Sequence, residues 1–161
     1  MKRAALISLA ITILLAFSFL LFNKITGFSA SESSLNNAKE MRIVTKIIDG
    51  DTIIVSGGET IRLLGMDTDE KGQPCYKQAK QRLENLTLNK EVMLKAGKED
   101  KDIYGRSLRY IFLGEENINV LLVKEGLAIA RLENSKLYAQ EIKDAEAYAI
   151  QNKIGCKWAN S

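Results

Sequence analysis

The 161-residue sequence contains no histidine, and it has only two cysteines and one proline. Without histidine, Ser-His-Asp and Cys-His catalysis, a histidine general base and His-ligated zinc or iron are all excluded. Two cysteines alone cannot form a standard structural zinc site. Any acid–base chemistry in this chain must therefore come from carboxylates, lysine, tyrosine or cysteine.

Acidic residues are also absent from residues 1–30, where an uncharged, mainly apolar run extends from Ala4 to Phe22. At about 1.5 Å per residue, a helix of this length spans roughly 28 Å, close to the hydrocarbon thickness of a bilayer. Residues 1–30 are therefore predicted to be a transmembrane anchor or a signal peptide. The run is longer than the usual signal core of about 7 to 15 residues, which favours the anchor over a cleaved signal. Its uninterrupted apolar circumference and terminal position favour the anchor over a buried core helix.

Lys2 and Arg3 precede this run and only Lys24 follows it closely, which predicts a cytoplasmic N-terminus. The rest of the chain would then lie outside the cell membrane on a single span, or be secreted if the segment is cleaved. Residues 31–40, SESSLNNAKE, are predicted to be a polar linker, and residues 41–161 to be one domain. Linker and domain together carry 20 basic and 20 acidic residues, so their net charge gives no argument for a nucleic-acid partner.

Runs rich in Val, Ile and Thr predict β-strands, and Gly57-Gly58 predicts a tight hairpin turn between the second and third strands. The predicted strands cover residues 42–48, 51–56, 60–66, 90–97 and 107–114. Helices are predicted from Tyr76 to Leu86, in a short segment closed by Gly126, and from about Ser135 to Gln151. This order predicts an α+β domain built on a small closed sheet.

Cys75 precedes the first predicted helix, and Cys156 lies near the end of the chain. In an exported domain a disulfide is favoured, and closing a loop of this size would stabilise the fold by roughly 4 kcal/mol. Two separate buried thiols or an intermolecular bridge are the alternatives.

Carboxylates cluster at the ends of adjacent predicted strands, at Asp49, Asp51, Asp67, Asp69 and Glu70. If the hairpin pairs the second and third strands, Asp51 and Asp67 converge, and their repulsion is relieved by a bridging cation. Ca²⁺ suits irregular oxygen ligands, and Mg²⁺ is also compatible. The alternative is that these acids are solvated turn residues.

Arg62 interrupts an apolar strand, where a guanidinium needs an anionic partner. It is either half of a structural ion pair or a phosphate clamp, because its planar fork matches phosphate oxygens. Tyr104-Gly105 predicts a turn that presents Arg106 at the start of the fifth strand.

The motifs DGDT, IRLLGMDTDE, DIYGRSLRYIF and VLLVKEGLA occur in this order and together resemble the staphylococcal nuclease (thermonuclease) family. The resemblance extends from about Met41 to Trp158. It implies a five-stranded OB-fold β-barrel with three helices. It also implies a monomeric endonuclease that needs one Ca²⁺ ion and hydrolyses DNA and RNA, single-stranded or locally opened, with low sequence specificity and 3′-phosphate products.

The resemblance also implies roles for individual residues. Asp51, Asp67 and the Thr68 carbonyl would bind Ca²⁺, with Asp49 just outside these ligands. For the substrate, Arg62 and Arg106 would hold the scissile phosphate, Glu70 would position or deprotonate the attacking water, and Tyr104 would contact the nucleic acid.

The chain departs from the family pattern near this site. Asp69 replaces a proline, so we expect a less rigid loop with an added charge beside the base. Arg131 and Glu133 stand where tyrosines contact the nucleotide, Ile103 replaces a lysine, and Gln78 replaces a glutamate. With the neutral net charge, these changes motivate an alternative function, a non-catalytic nucleic-acid-binding or surface interaction module on the same fold.

Overall fold

The computed structural model of the protein describes residues 40–133 and 137–159. The predicted membrane segment, residues 1–30, and all but the last residue of the predicted linker lie outside the described residues and stay predictions. Within the part that is described, no helix is long and apolar enough to cross a membrane. The first described strand begins at Glu40, the last residue of the predicted linker.

The described strands are β1 (Glu40–Ile47), β2 (Thr52–Val55), β3 (Thr60–Leu63), β4 (Met66–Asp67), β5 (Glu91–Lys101), β6 (Ser107–Leu113), β7 (Glu116–Asn117) and β8 (Ile129–Ala130). Five of them run in the order β3-β2-β1-β5-β6, with antiparallel neighbours. A parallel pairing of β3 with β6 closes this sheet on itself. The predicted five-stranded barrel and α+β class are therefore confirmed. The short strands β4 and β8 form a separate antiparallel pair that the sequence did not predict.

The helices are α1 (Tyr76–Thr87), α2 (Ile118–Lys124), α3 (Ala139–Gln151) and α4 (Gly155–Trp158). The first three correspond to the predicted helices. The third begins at Ala139, with Tyr138 as its N-cap, and Ser135, near which its start was predicted, lies outside the described residues. The one-turn helix α4 was not predicted, since four residues are too few to show a helical period.

Every barrel strand contributes fully buried side chains to one core, among them Val44, Ile53, Ile61, Val92 and Tyr110. The apolar faces of α1, α2 and α3 pack against the same core through Ala79, Leu83, Leu122 and Ile142. Each such side chain stabilises the fold by about 1.5 to 3 kcal/mol relative to exposure. The strand ends that carry the polar residues are therefore fixed to a close-packed support.

Two pairings place the polar strand ends together. In the β2–β3 hairpin, whose turn glycines Gly57 and Gly58 have φ values of 91° and 80°, Thr52 lies opposite Arg62. In the parallel β3–β6 pairing, Arg62 lies beside Leu108, two residues after Arg106. The barrel thus brings Arg62 and Arg106 to one end although they are far apart in sequence.

Candidate active site

One guanidinium group joins two of the predicted metal ligands. Arg62 Nη1 lies 2.7 Å from Asp51 Oδ2, and Arg62 Nη2 lies 2.6 Å from Asp67 Oδ1. The Arg62 side chain is only 15% exposed, so both ion pairs are largely shielded from water. The predicted convergence of the two acids is present, and the arginine that interrupts the apolar strand lies between them.

Asp51 is the most enclosed acid of the site. Its Oδ2 atom accepts hydrogen bonds from the Thr68 backbone N–H (3.0 Å) and hydroxyl (2.9 Å), and its Oδ1 atom accepts one from the Thr52 hydroxyl (3.1 Å). Asp49 accepts a hydrogen bond from the Asp51 backbone N–H, so it shapes the turn that presents Asp51. Burial raises the pKa of Asp51, against the opposing charge of Arg62, and the Asp49 carboxylate adds to the rise.

Asp67 is more exposed and has a second arginine beside it. Arg131 Nη1 lies 3.2 Å from Asp67 Oδ2, and Arg131 Nε lies 3.4 Å from Glu133. The β4–β8 pairing creates this contact, because it places Asp67 opposite Ile129. Sequence reasoning assigned Arg131 to the nucleotide side and missed its contact with Asp67, since no local pattern predicts a pairing of two-residue strands.

Arg106 is held by an acid that sequence reasoning also missed. Its Nε atom lies 2.6 Å from Asp102 Oδ2, while Asp102 Oδ1 accepts the backbone N–H groups of Tyr104 and Arg106. Burial raises the pKa of Asp102, but these hydrogen bonds outweigh it and hold the pKa below its ordinary value. The signal was present in the sequence, because aspartate commonly opens a turn of the Asp-x-x-Gly kind. Tyr104 is exposed at the tip of this turn, with its ring centroid 5.5 Å from the Arg106 guanidinium carbon.

Thr52 connects the two arginines. Its hydroxyl donates to Asp51 Oδ1 (3.1 Å), and Arg106 Nη1 donates to that hydroxyl oxygen at 3.4 Å. A continuous polar chain therefore runs from Arg106 through Thr52 and Asp51 to Arg62 and Asp67. Beside it, a cavity of about 110 Å³ lies between Arg62, Leu108, Arg131 and Glu133 and apolar side chains of residues 63–66. Of the predicted cation-binding and phosphate-binding residues, Arg62 lines this cavity.

Glu70, the proposed base, lies on the loop that follows β4. Its side chain is exposed, and its backbone N–H donates to Gln73 Oε1 at 2.8 Å. Among the described residues, none forms a hydrogen bond or ion pair with the Glu70 carboxylate. This carboxylate is therefore available to a water molecule or a substrate.

Asp69, next to Glu70, has side-chain partners that the sequence did not predict, while the expectation of a less rigid loop stays a prediction. Its Oδ2 atom accepts the Cys75 backbone N–H at 2.8 Å, and its Oδ1 atom forms an ion pair with Lys157. Burial raises the pKa of Asp69, but the Lys157 and Cys75 hydrogen bonds outweigh it, so the pKa lies below the ordinary value. The added charge is therefore compensated, and both carboxylate oxygens of Asp69 have partners.

Cys75 and Cys156 form a disulfide, with their Cα atoms 5.5 Å apart and a separation of 81 in sequence. The bond joins the residue just before α1 to helix α4. Of the alternatives that the sequence left open, the structure has the intramolecular bridge.

The donors at this site are suited to a hard cation. Asp51 and Asp67 offer carboxylate oxygens that already converge, and Ca²⁺ accepts such ligands together with a backbone carbonyl and water. In the described ranges no group of three or more His, Cys, Asp or Glu side chains is arranged to hold a metal ion. A cation here would therefore rest on two carboxylates, the Thr68 carbonyl and water.

Comparison with known proteins gives consistent similarities. The family model "Staphylococcal nuclease homologue" matches residues 60–160. The thermonuclease of Staphylococcus intermedius is 39% identical over 127 residues, covering 73% of this chain and 76% of that protein. The thermonuclease of Staphylococcus hyicus is 37% identical over 139 residues, covering 80% and 82%, and the micrococcal nuclease of Shigella flexneri is 32% identical over 124 residues, covering 70% of each. With its closed barrel and its polar site at one end, the chain belongs to the staphylococcal nuclease family.

Proposed function

We propose that the protein is an endonuclease that hydrolyses phosphodiester bonds of DNA and RNA with low sequence specificity and uses Ca²⁺. The single observation that carries this proposal is the polar chain from Arg106 through Thr52 and Asp51 to Arg62 and Asp67. It combines two guanidinium groups with two converging acids at one end of the barrel. The names of the thermonuclease and nuclease relatives support the same class of reaction.

The two arginines would bind the scissile phosphate. Each guanidinium group presents several N–H donors in a fixed plane, and one donor edge of Arg106 is already oriented by Asp102. Arg62 is held between Asp51 and Asp67, so it stays close to the position where the phosphate would bind. Both groups would stabilise the negative charge that develops on the phosphate oxygens, and such electrostatic stabilisation usually contributes most to catalysis of this kind.

Asp51, Asp67 and the Thr68 carbonyl would hold the cation, which when bound would acidify water and neutralise phosphate charge. Mg²⁺ fits the same oxygen donors, so cleavage assays with each ion decide which of the two the enzyme uses. The hydrogen bonds from Thr68 and Thr52 fix the Asp51 carboxylate before any ligand arrives. Arg62 would move part of its hydrogen bonding from these acids to the substrate.

Glu70 would accept a proton from the attacking water. Its carboxylate is exposed and lies two residues beyond Thr68, so it adjoins the proposed cation ligands. As the water oxygen bonds to phosphorus, the bond from phosphorus to the 5′-oxygen breaks, and that oxygen takes a proton from solvent. The products are a 3′-phosphate and a 5′-hydroxyl.

The substrate is proposed to be single-stranded or locally opened nucleic acid, bound by a monomer. Tyr104 offers an exposed ring beside Arg106, and an aromatic ring can stack on any base irrespective of sequence. The enzyme would act outside the cell membrane on its N-terminal span, or be secreted. Cell fractionation with N-terminal sequencing of the natural protein tests this location.

Cleavage of single-stranded DNA with Ca²⁺, with Mg²⁺ and with a chelator tests the proposed function. We expect Ca²⁺-dependent cleavage that leaves 3′-phosphate ends, and loss of that cleavage in an R62A/E70A double variant. Equal activity of wild type and double variant would contradict the proposal. The matched control is R42A/E115A, which makes the same changes at a half-buried arginine of β1 and an exposed glutamate.

A non-catalytic nucleic-acid-binding or surface interaction module is the second candidate. It is favoured by one observation, that both arginines already have carboxylate partners, Arg62 in Asp51 and Asp67 and Arg106 in Asp102. A binding isotherm with the nucleic acid recovered intact, in the presence of Ca²⁺ or Mg²⁺, would support this module and exclude the enzyme.

A further inference from the structure

The loop that carries Glu70, residues 68–75 and called here the Glu70 loop, is joined to helix α4 at two points. Asp69 forms an ion pair with Lys157, and Cys75 forms the disulfide with Cys156. The first contact lies beside Glu70 and the second at the far end of the loop. Because the two α4 residues are consecutive, one turn of helix holds both ends.

Helix α4 itself packs closely against residues 125 and 126, in the turn that follows α2. The Lys157 backbone N–H donates to the Gly126 carbonyl at 3.1 Å. A Cβ atom on Gly126 would lie 1.9 Å from the Ile154 carbonyl oxygen, and one on Gly155 would lie 2.2 Å from the Glu125 carbonyl oxygen. Both glycines also have positive φ, so only glycine allows this close approach.

The turn after α2 is itself held to helix α1. Arg82 donates two hydrogen bonds to the Glu125 carboxylate, from Nε at 2.7 Å and from Nη2 at 2.6 Å. Two parallel bonds of this kind define orientation as well as distance. Helix α4 is therefore a fixed anchor, to which the Glu70 loop is attached.

Within the Glu70 loop, few contacts determine where Glu70 points. Both carboxylate oxygens of Asp69 are occupied, one by Lys157 and the other by the Cys75 backbone N–H. Glu70 contributes only backbone contacts, with the side chain and the backbone N–H of Gln73. The position of the proposed base is thus set mainly through its neighbour Asp69.

We propose that Asp69, Lys157 and the disulfide Cys75–Cys156 form a positioning clasp, which presents Glu70 to the phosphate bound at the barrel end. The inference rests on the proposed nuclease function. A displacement of about 1 Å at a reacting group lowers a rate by up to roughly 10²-fold. Loss of the clasp should therefore lower kcat and leave KM nearly unchanged, because the groups that bind the phosphate keep their places on the barrel.

Two variants of the full-length chain break the ion pair in different ways. Lys157→Met removes the cation, and Asp69→Asn removes the charge while keeping an acceptor for the Cys75 N–H. For both we expect kcat to fall roughly ten-fold while KM changes less than about two-fold. Lys143→Met, an exposed lysine on α3, is the matched control and should keep wild-type kcat and KM.

Opening the disulfide tests the second attachment point. A dithiol reductant supplies two electrons and two protons to the bond, which yields two thiols and an oxidised dithiol, and C75S/C156S lacks the crosslink permanently. We expect kcat to fall by at least ten-fold in both forms. Trp158, the single tryptophan of the sequence, adjoins Lys157, so its fluorescence reports release of α4 while far-UV circular dichroism reports the barrel.

The outcomes separate this inference from the function on which it rests. No cleavage by the wild-type chain overturns the proposed nuclease. Wild-type cleavage with unchanged kcat in K157M and D69N, or a change in KM alone, overturns the clasp and leaves the nuclease standing. If C75S/C156S does not fold, the two ion-pair variants still decide, because they keep the disulfide.

Discussion

The two halves of the candidate site are held in place by different means. Asp51, Thr52 and Arg62 lie on paired barrel strands, and their positions follow from strand register above a buried core. Glu70 and Asp69 lie on a loop, where an ion pair and a disulfide replace register. A register shift would turn the buried face of a strand outward, whereas a loop contact can be lost alone. Binding and base catalysis should therefore respond differently to mutation.

The largest effect should follow from removing Arg62. In Arg62→Ala we expect cleavage to fall on the order of 10³-fold, since a group that stabilises transition-state charge is lost. The free energy of unfolding should also fall by about 3 kcal/mol, because the buried Asp51 carboxylate loses its partner. Steady-state kinetics and urea unfolding measure the two changes. Arg42→Ala, which breaks an exposed pair with Glu40, should change neither, and an Arg62→Ala protein of wild-type stability would contradict the account.

Glu70→Gln should separate activity from stability. We expect the rate to fall roughly 10²-fold, because a general base is lost. The free energy of unfolding should stay the same, since the Glu70 side chain is exposed and has no partner among the described residues. Glu115→Gln, at another exposed position, is the control. A clear loss of stability in Glu70→Gln would contradict this expectation, because it would show that the Glu70 side chain stabilises the fold as the Arg62 ion pairs do.

Arg131→Gln should give a smaller change at the border of the two halves. Arg131 lies 3.2 Å from Asp67, so removing its charge leaves a more negative cation site. We expect the Ca²⁺ concentration for half-saturation to fall about three-fold, a modest shift because the pair is exposed. Calorimetric titration of Ca²⁺ without substrate measures it. Arg131→Lys should retain the wild-type value, and weaker Ca²⁺ binding in Arg131→Gln would contradict the electrostatic account.

The smallest expected effect is on how folding stability depends on acid pH, through the turn that presents Arg106. Asp102 has a pKa below its ordinary value of 3.8 in the folded protein, so its ionised form stabilises the fold above that pH. This contribution is lost as the pH falls through the folded-state pKa. Asp102→Asn should therefore be less stable than wild type at pH 7, with the difference disappearing at strongly acidic pH. Thermal unfolding across pH shows this, and a pH-independent difference would contradict it.

The sequence was informative where structure follows a local pattern. The β-branched runs and Gly57-Gly58 predicted the hairpin that brings Asp51 and Arg62 together, and alternation identified Arg62 as an unusual strand residue. Residue types alone also limited catalysis to carboxylates, lysine, tyrosine or cysteine, because histidine is absent. The barrel and the set of candidate residues could therefore be predicted from the sequence.

Side-chain contacts between residues far apart in the chain could not be predicted from the sequence. The pairing of Asp69 with Lys157 joins residues 88 positions apart, and nothing local to either indicates the other. Substitution of a proline suggested a looser loop, and no local pattern indicated the side-chain contacts that hold Asp69. The contact between Arg131 and Asp67 was missed for the same reason, since it depends on two strands of two residues each.

The parallel closure of the barrel also has a consequence for folding. Ile61 pairs with Ser107, so Arg62 and Arg106 come together only after distant parts of the chain have met. Pairings between distant residues form late and slowly, since the entropy of closing the intervening chain must be overcome first. An incompletely folded chain therefore lacks the proposed phosphate-binding pair even when both hairpin strands have formed. If hydrolysis needs both arginines, activity should appear only after this parallel pairing has formed.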